Sequence, residues 1–252
     1  MNNAKQKIWI SEIDEKRFDT KIARASEITE SHLAKAMEFC QVNRVSLLVA
    51  RCSTNELASA QAMESAGFLL MDTLVYYKRS LVDRSIPEDP GEIRVRPIRP
   101  GEEEAVRAVA ADSFRGYYGH YHADPRLDRA TCDEVYTSWA LRSCTSKEVA
   151  DQVLVAVEDS KVLAFITIRL DSRGQGETVL SGVAPAAHRR GIYRSLMIRS
   201  MAWCKLHGAE HLITSTQLNN TATQKVWVRL GFEPHETFYT FHKWFECTEP
   251  KR

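Results

Sequence analysis

The sequence predicts an α/β (α+β) fold in which a mixed, mostly antiparallel sheet is flanked by helices. The first observation behind this prediction is the order of apolar patterns after residue 90, which reads β-α-α-β-β-β-α-β-α-β. The second observation is an internal repeat. Residues 48–79 and 212–243 share a strand–helix–strand pattern at a constant offset of 164 residues, without gaps. Such a repeat indicates two related domains.

The two copies of the repeat match at several individual positions. Asn55 corresponds to Asn219, and Gly67-Phe68 corresponds to Gly231-Phe232. Four of the eight prolines fall between residues 87 and 100, a cluster that suits a linker. We therefore predict a partial N-terminal domain over residues 1–90 and a complete domain over residues 91–252. The alternative is that any two strand–helix–strand units look alike.

The elements before residue 160 follow from local patterns. A strand is predicted at 93–98, and a helix at 101–114 whose acidic first turn, EEE, suits the helix dipole. An aromatic and histidine-rich loop then covers residues 117–128, followed by a helix at about 128–144. Two strands around the turn EDSK, at 152–157 and 161–170, form a hairpin. Alternate residues of the second strand are expected to face opposite sides of the sheet.

The remaining elements alternate between strands and helices. The turn DSRGQGE leads into the strand TVLSGVA, and a helix begins after Gly191 and stops at Gly208. A strand at 211–217, a helix at 220–230 and two final strands complete the chain. The apolar face of the helix after Gly191 is predicted to contain Ile192, Leu196, Met197, Met201 and Cys204.

Composition excludes some classes of function. The net charge of +1 gives no global field for nucleic acid or an anionic membrane. The six cysteines are scattered, which is typical of reduced thiols rather than a disulfide framework. No apolar run has the length of a membrane span, and the first residues lack a signal-peptide pattern. We therefore expect a cytoplasmic protein.

The stretch HRRGIYRSLM, residues 188–197, places a glycine and three arginines at the start of a helix. The first turn of a helix offers unpaired N–H groups and the positive end of the dipole. Gly191 lets a ligand approach this backbone, and Arg189, Arg190 and Arg194 can pair with phosphates. The stretch thus predicts a pyrophosphate site, although it matches neither a P-loop nor a dinucleotide fingerprint. The alternative is an exposed basic helix end.

Residues 93–245 resemble the GNAT superfamily of acyl-CoA-dependent N-acetyltransferases. The resemblance depends on VAPAAHRRGIY at residues 183–193 and on Asn220, Trp227 and Gly231-Phe232. His188 and Tyr193 depart from the family pattern, which has Arg or Gln and a small residue there. The resemblance implies acetyl-CoA as the acyl donor. The residues it assigns to donor binding are Ser181, Val183, His188, Arg189, Arg190, Gly191, Ile192, Tyr193, Arg194, Asn220 and Trp227.

The whole chain resembles, more loosely, the acetyltransferases that act on dTDP-linked 4-amino-deoxy sugars, of the dTDP-fucosamine type. The similar segments are FDTKIARASEI, SLLVARCSTNELASAQAMESAGF and TQLNNTA. This resemblance implies a nucleotide-sugar acceptor in cell-surface polysaccharide biosynthesis, and it suggests a homodimer.

Catalysis of acetyl transfer needs a base for the amine and stabilisation of the departing thiolate. In the superfamily the loop at 117–128 covers the acceptor, so His120 and His122 are candidate bases. Tyr118, Tyr121 and Asp124 are candidate acceptor-binding residues. Trp227 stands where the family has a tyrosine acid, and an indole cannot supply the proton. Either Tyr239 supplies it or the thiolate leaves with hydrogen bonds alone.

Three alternatives remain open at this point. Instead of covering an acceptor, the loop at 117–128 could be an aromatic surface loop or a dimer contact. Instead of a nucleotide sugar, the acceptor could be another small amine or a protein N-terminus. A third interpretation is a non-catalytic acyl-CoA-binding module. His207 and His211 have helical metal-ligand spacing, but Gly208 breaks the helix between them and no third ligand is evident, so no metal site is predicted.

Overall fold

The computed structural model describes residues 7–89, 91 and 93–245 of the 252-residue chain. Contacts divide the chain into two compact units. The first unit comprises residues 1–75, 118–131 and 236–252, and the second comprises residues 76–117 and 132–235. Cys247 and the other residues after 245 lie outside the described part.

Helices and strands alternate along most of the described chain. In order they are β1 (Lys7–Ile10), α1 (Glu12–Phe18), β2 (Ile22–Ser26), α2 (Glu30–Val42), β3 (Leu47–Ser53), α3 (Leu57–Ser65), β4 (Leu69–Ser80), β5 (Arg94–Pro97), α4 (Glu103–Phe114), α5 (His120–Ala123), α6 (Arg129–Thr145), β6 (Gln152–Glu158), β7 (Lys161–Leu170), β8 (Gln175–Val183), a 3-10 turn (Pro185–Ala187), α7 (Ile192–Leu206), β9 (His211–Gln217), α8 (Thr221–Arg229) and β10 (Glu233–Trp244).

In the first unit, the strand order is β1-β2-β3-β10-β4. β1 and β2 are antiparallel, β2 and β3 are parallel, and β3 and β10 are antiparallel. Apolar side chains of β2, β3, α2 and α3 form the core together with Phe68 and Phe241. Burial of this apolar surface is the main favourable contribution to the stability of the unit.

In the second unit, the strand order is β4-β9-β8-β7-β6-β5. Neighbours from β5 to β8 are antiparallel, whereas β8 and β9 are parallel. Val162 to Ile168 of β7 are all buried, and both α4 and α7 contact this strand. A strand covered on both sides has no polar face, which explains its continuous apolar sequence. The predicted mixed, mostly antiparallel sheet with flanking helices is confirmed.

The internal repeat is present in the structure as well as in the sequence. β3, α3 and β4 begin and end at residues that lie 164 positions before the corresponding ends of β9, α8 and β10. The last strand of each copy pairs with the first strand of the other copy, β10 with β3 and β4 with β9. Because these strands are exchanged, a single cut near residue 90 does not separate the two compact units.

Most predicted elements have counterparts in the structure, but two expectations are wrong. The two final strands are one continuous strand, β10, because no Gly or Pro interrupts the segment after Pro234. The predicted loop at 117–128 contains α5, in which His120, Tyr121 and His122 are all buried. The predicted apolar face of α7 is confirmed, since its five residues are buried.

The described cysteines Cys40, Cys52, Cys132, Cys144 and Cys204 are free thiols, and all except Cys144 are buried. Among the helices of the described residues, none combines the length and apolarity required to cross a bilayer.

Candidate functional site

The first feature of the candidate site is a gap between two parallel strands of the second unit. β8 and β9 pair only from Gln175 to Thr178 and from His211 to Thr214, although the strands continue to Val183 and Gln217. On its other side, β8 pairs with β7 through a register shift that leaves Val179 as an extra residue. A bulge of this kind bends its strand. The carboxyl ends of β8 and β9 therefore part, and crevices at such ends are common ligand sites.

The second feature is the N-terminus of α7, which follows β8 after the 3-10 turn. Gly191 is the N-cap residue at a φ of 76°, and no side chain caps the helix. A Cβ atom added at Gly191 would meet no atom within 4 Å, so the space in front of it is open. Positive φ favours glycine here, and the uncapped N–H groups together with the helix dipole suit an anion.

The basic side chains near α7 differ in their surroundings. Arg190 makes an exposed ion pair with Glu158. Arg194 donates a hydrogen bond to the backbone oxygen of Glu88 at 3.4 Å. Arg189 is exposed, with a φ of 63°. Water screens an exposed ion pair of this kind, so Arg190 remains able to exchange Glu158 for a phosphate.

The backbone oxygen of Val183 has two polar neighbours within the protein. His188 Nε2 lies 3.0 Å away, and Ser113 Oγ also lies 3.0 Å away, although its single hydrogen has a closer acceptor in the Val109 carbonyl at 2.6 Å. His188 therefore contacts the end of β8 and helps to hold the turn that leads into α7. A carbonyl oxygen has two lone pairs, so Val183 stays a candidate for a ligand contact.

Tyr193 and Trp227, the two large side chains that depart from the family pattern, form a hydrogen bond with each other. Trp227 Nε1 donates to Tyr193 Oη at 2.8 Å. The hydroxyls of Ser181 and Thr214 lie within hydrogen-bonding reach of the same oxygen. Thr214 is the last paired residue of β9, so Tyr193 Oη lies where β8 and β9 part. Burial raises the pKa of Tyr193 to about 12, which keeps the phenol protonated at neutral pH.

The carboxyl end of β9 is connected to its surroundings by polar side chains. Asn220, the N-cap of α8, accepts a hydrogen bond from the Thr223 N–H and donates to Thr216 Oγ1 at 2.9 Å. The Tyr117 hydroxyl donates to the side-chain oxygen of Gln217. Asn220 thus positions the start of α8 relative to β9. The sequence analysis assigned no role to Thr214 or Gln217, and it included Tyr117 only as part of the loop at 117–128.

A buried polar cluster in the first unit contains α5 and β10. Asp124 Oδ2 accepts hydrogen bonds from His242 Nδ1 at 2.7 Å and from Trp244 Nε1 at 2.8 Å. His242 Nε2 lies 2.9 Å from His120 Nδ1, and the His120 backbone N–H donates to Asp72. Burial disfavours the charged carboxylate, but the hydrogen bonds from His242, Trp244 and Arg126 outweigh this effect and lower the pKa of Asp124.

The hydrogen-bond pattern determines the tautomers of both histidines. An ionised Asp124 can only accept, so His242 Nδ1 carries the hydrogen and His242 Nε2 accepts one from His120 Nδ1. His120 Nε2 is then an acceptor, the form that a general base requires. Burial lowers the pKa of His120 well below its ordinary value of 6.5, so the ring is neutral. His242 was not predicted from the sequence, because it lies in an ordinary strand pattern.

Tyr121 was predicted to contact the acceptor, but its hydroxyl is bound inside the first unit. It donates to Asp14 Oδ1 at 2.9 Å and also contacts Arg24. Arg24 Nε in turn donates to Asp14 Oδ2 at 2.7 Å. Burial, as the largest cause, raises the pKa of Tyr121 above its ordinary value. Tyr121 therefore attaches α5 to the first helix and second strand of this unit.

The other predicted residues of the first unit have different environments. Tyr118 is exposed, whereas His122 is buried. Tyr239 packs against the core of the unit and makes an edge contact with Phe241. All of the predicted donor-binding residues belong to the second unit, and His120, His122, Tyr118, Tyr121, Asp124 and Tyr239 belong to the first. Within the described residues, no group of three or more His, Cys, Asp or Glu side chains is suited to a metal ion.

Comparison with known proteins gives a family match for half of the chain. Residues 108–232 match the model of the Acetyltransferase (GNAT) family. The spore coat polysaccharide biosynthesis protein SpsD of Bacillus subtilis (strain 168) is 23% identical over 174 residues, covering 67% of this chain and 58% of the relative. A mycothiol acetyltransferase of Saccharomonospora viridis is 28% identical over 184 residues, covering 71% and 59%. The chain thus spans less than two thirds of the length of these relatives.

A solved structure is similar over nearly the whole chain. It is a GCN5-related N-acetyltransferase from Sphaerobacter thermophilus, with a TM-score of 0.66 at 15% identity. The alignment covers 94% of this chain and 76% of that one. At this level of identity the similarity establishes a common fold.

Proposed function

Because residues 108–232 of this chain belong to the Acetyltransferase (GNAT) family, we propose that the protein transfers the acetyl group of acetyl-CoA to the amine of a nucleotide-linked amino-deoxy sugar. The observation that supports this proposal best is the uncapped N-terminus of α7, which follows β8 after the short 3-10 turn, beyond the point where the gap to β9 opens. This arrangement offers an anion site beside a crevice, as a donor with a diphosphate and an extended arm requires.

The residues of this chain fit such a donor. The N–H groups of Ile192 and Tyr193 begin a helix whose N-terminus is open to solvent, and they would bind the diphosphate. Arg189 and Arg194 would add charge there. Among the described residues, β8 pairs with β9 only as far as Thr178. The backbone groups of β8 near Ser181 would therefore bind the amides of the pantetheine arm. The same backbone groups would polarise the thioester carbonyl.

The acceptor amine must be neutral to attack the thioester carbonyl. His120 and His122 remain our candidate bases. For His120 the support is the hydrogen-bonded chain from Asp124 through His242, which leaves Nε2 as an acceptor. A neutral imidazole in this form can take a proton, and the carboxylate at the other end of the chain stabilises the imidazolium.

The choice of a sugar acceptor is supported by the name of one relative and by the resemblance of the N-terminal segments. SpsD is described as a spore coat polysaccharide biosynthesis protein. A second candidate function comes from the relatives named mycothiol acetyltransferase, and it is acetyl transfer to a mycothiol-type acceptor. In both cases the acceptor is a small molecule. The homodimer suggested by the sequence stays a prediction.

A thiol-release assay with acetyl-CoA tests the proposed function. The purified chain is incubated with dTDP- and UDP-linked amino sugars, with a mycothiol-type acceptor, and with polyamines and peptides as controls. We expect release of free CoA only with a nucleotide-linked amino sugar, together with an acetylated product identified by mass spectrometry. Turnover only with the mycothiol-type acceptor would favour the second candidate. Turnover only with peptides or polyamines would contradict both.

A further inference from the structure

We propose that Tyr193 is the catalytic residue that donates a hydrogen bond from its hydroxyl to the departing thiolate, and that Trp227 is a positioning residue that holds the Tyr193 hydroxyl in place. This inference rests on the proposed acetyl transfer. It explains both departures from the family pattern together: the phenol of Tyr193 on α7 takes the place of the family's tyrosine, whose position on α8 is occupied by Trp227.

The geometry of the pair supports this assignment. An indole N–H can only donate, so the Trp227 Nε1 contact of 2.8 Å occupies a lone pair of Tyr193 Oη. The phenolic hydrogen must therefore point to another partner. Ser181 and Thr214 lie within reach of the same oxygen, and their hydroxyls can rotate to act as donors or acceptors. The phenolic hydrogen can thus turn to a sulfur atom in the gap without leaving a buried polar atom unpaired.

The surroundings also hold both rings in place. Trp227 is only 1% exposed, and its ring lies 5.3 Å from the ring of Tyr77. The Tyr193 hydroxyl is reached from β8, β9 and α8 at once, through Ser181, Thr214 and Trp227. Such a preorganised oxygen needs little rearrangement when charge develops beside it.

The chemical step balances with these groups. The amine nitrogen forms a bond to the thioester carbonyl carbon, and the carbon–sulfur bond breaks with its electron pair passing to sulfur. The sulfur leaves as a thiolate that accepts a hydrogen bond from Tyr193 Oη, and the contacts with Trp227, Ser181 and Thr214 hold this oxygen in place. The amine gives its extra proton to the base, and the thiolate takes up a proton from water after product release.

Other phenols of the chain are less suitable. The Tyr117 hydroxyl donates to the Gln217 side chain. The Tyr239 ring is packed against the core of the first unit. The Tyr77 hydroxyl lies 3.3 Å from Gln224 Oε1, and it provides a matched control because its removal leaves the ring beside Trp227 intact.

The first experiment measures transfer by Tyr193→Phe and Tyr77→Phe. We expect kcat to fall about 10²-fold or more in Tyr193→Phe, as loss of a preorganised hydrogen-bond donor to the developing negative charge predicts. The dissociation constant for acetyl-CoA should change by less than about threefold, the small effect expected when an interaction made only in the transition state is lost. Tyr77→Phe should keep the parental kcat. A kcat of Tyr193→Phe within twofold of the parent would overturn the assignment, as would a loss that appears entirely in acetyl-CoA binding.

The second experiment needs no acceptor, so it separates failure of this inference from failure of the proposed function. The ultraviolet absorbance of the thiolate of bound CoA is followed against pH, with desulfo-CoA as the blank. A hydroxyl that donates to sulfur stabilises the thiolate, so the pKa of the bound thiol should lie about one unit lower in the parent than in Tyr193→Phe. The pKa of the bound thiol in Trp227→Phe should lie between the values in the parent and in Tyr193→Phe. Equal thiol pKa values in the parent and Tyr193→Phe contradict the inference, whatever the acceptor proves to be.

Discussion

Asp124 Oδ2 accepts a hydrogen bond from His242 Nδ1 at 2.7 Å, and both side chains are almost completely buried. The carboxylate thereby determines the orientation of His242, and His242 determines that of His120. A buried carboxylate is stable in its charged form only while its hydrogen-bond donors remain in place, so a change at Asp124 should destabilise the first unit.

Asp124→Asn should destabilise the protein. An amide accepts more weakly than a carboxylate. If its oxygen keeps the bonds from His242 and Trp244, its NH2 group faces the backbone N–H of Arg126, which is also a donor. We expect the free energy of unfolding to fall by about 2–4 kcal/mol, measured by urea denaturation. Asp128→Asn is the control, because Asp128 is exposed and its bonds to Thr131 can be made by an amide. Equal midpoints for the two variants would contradict the importance of the buried cluster.

Acidification should destabilise the protein through His120. Burial is the largest cause that lowers the pKa of His120 in the folded state, and electrostatic interactions with His242, Arg24, Arg51 and His122 add to it. Below about pH 6.5 the unfolded chain binds a proton at His120, whereas the folded chain does not. The contribution of His120 to the free energy of unfolding is therefore present above about pH 6.5 and is lost as the pH falls. The expected slope is about 1.4 kcal/mol per pH unit.

His120→Asn keeps a donor for His242 Nε2 and removes this titration. Its free energy of unfolding should therefore fall less steeply between about pH 6.5 and pH 5 than that of the parent. His207→Asn, at the exposed end of α7, serves as the control and should keep the parental slope. A parental slope in His120→Asn would show that other groups account for the acid sensitivity. The pKa of Asp124 is lowered, so Asp124 affects the pH dependence of the free energy of unfolding only below about pH 4, outside this range.

Replacement of the candidate bases should separate catalysis from donor binding. In His120→Asn and His122→Asn, we expect at least one kcat to fall by about 10²–10⁴-fold, since general base catalysis contributes this much. The dissociation constant for acetyl-CoA, measured by calorimetry, should remain unchanged. Parental turnover in both variants would exclude both histidines as the base.

The start of α7 should determine the affinity for the donor. Gly191 and Gly208 are at opposite ends of α7, both with positive φ and both beside open space. Asn tolerates this backbone conformation, so Gly191→Asn and Gly208→Asn carry a similar backbone cost. The side chain added at residue 191 would obstruct the first-turn N–H groups. We expect the dissociation constant for acetyl-CoA to rise by about tenfold or more in Gly191→Asn only, the loss of one or two hydrogen bonds to a charged group. A similar rise in Gly208→Asn would locate the donor elsewhere.

The sequence by itself determined most of the elements after residue 90, the repeat and the basic turn. Periodicity in β7 and α7, glycine at the ends of helices and the constant offset between the two copies are local properties, because each depends on residues a few positions apart. Gly191 belongs to this group, since a turn with positive φ is specified by the residue itself.

Only the tertiary structure decided which of these elements meet. The exchange of β4 and β10 between the copies, the burial of α5, and the hydrogen bond from Trp227 to Tyr193 each join residues distant in sequence. Such contacts depend on packing and on the need to pair every buried polar group, which no local pattern encodes. For this reason His242 escaped prediction, and Tyr193 could be recognised as a departure from the family pattern but not as the partner of Trp227.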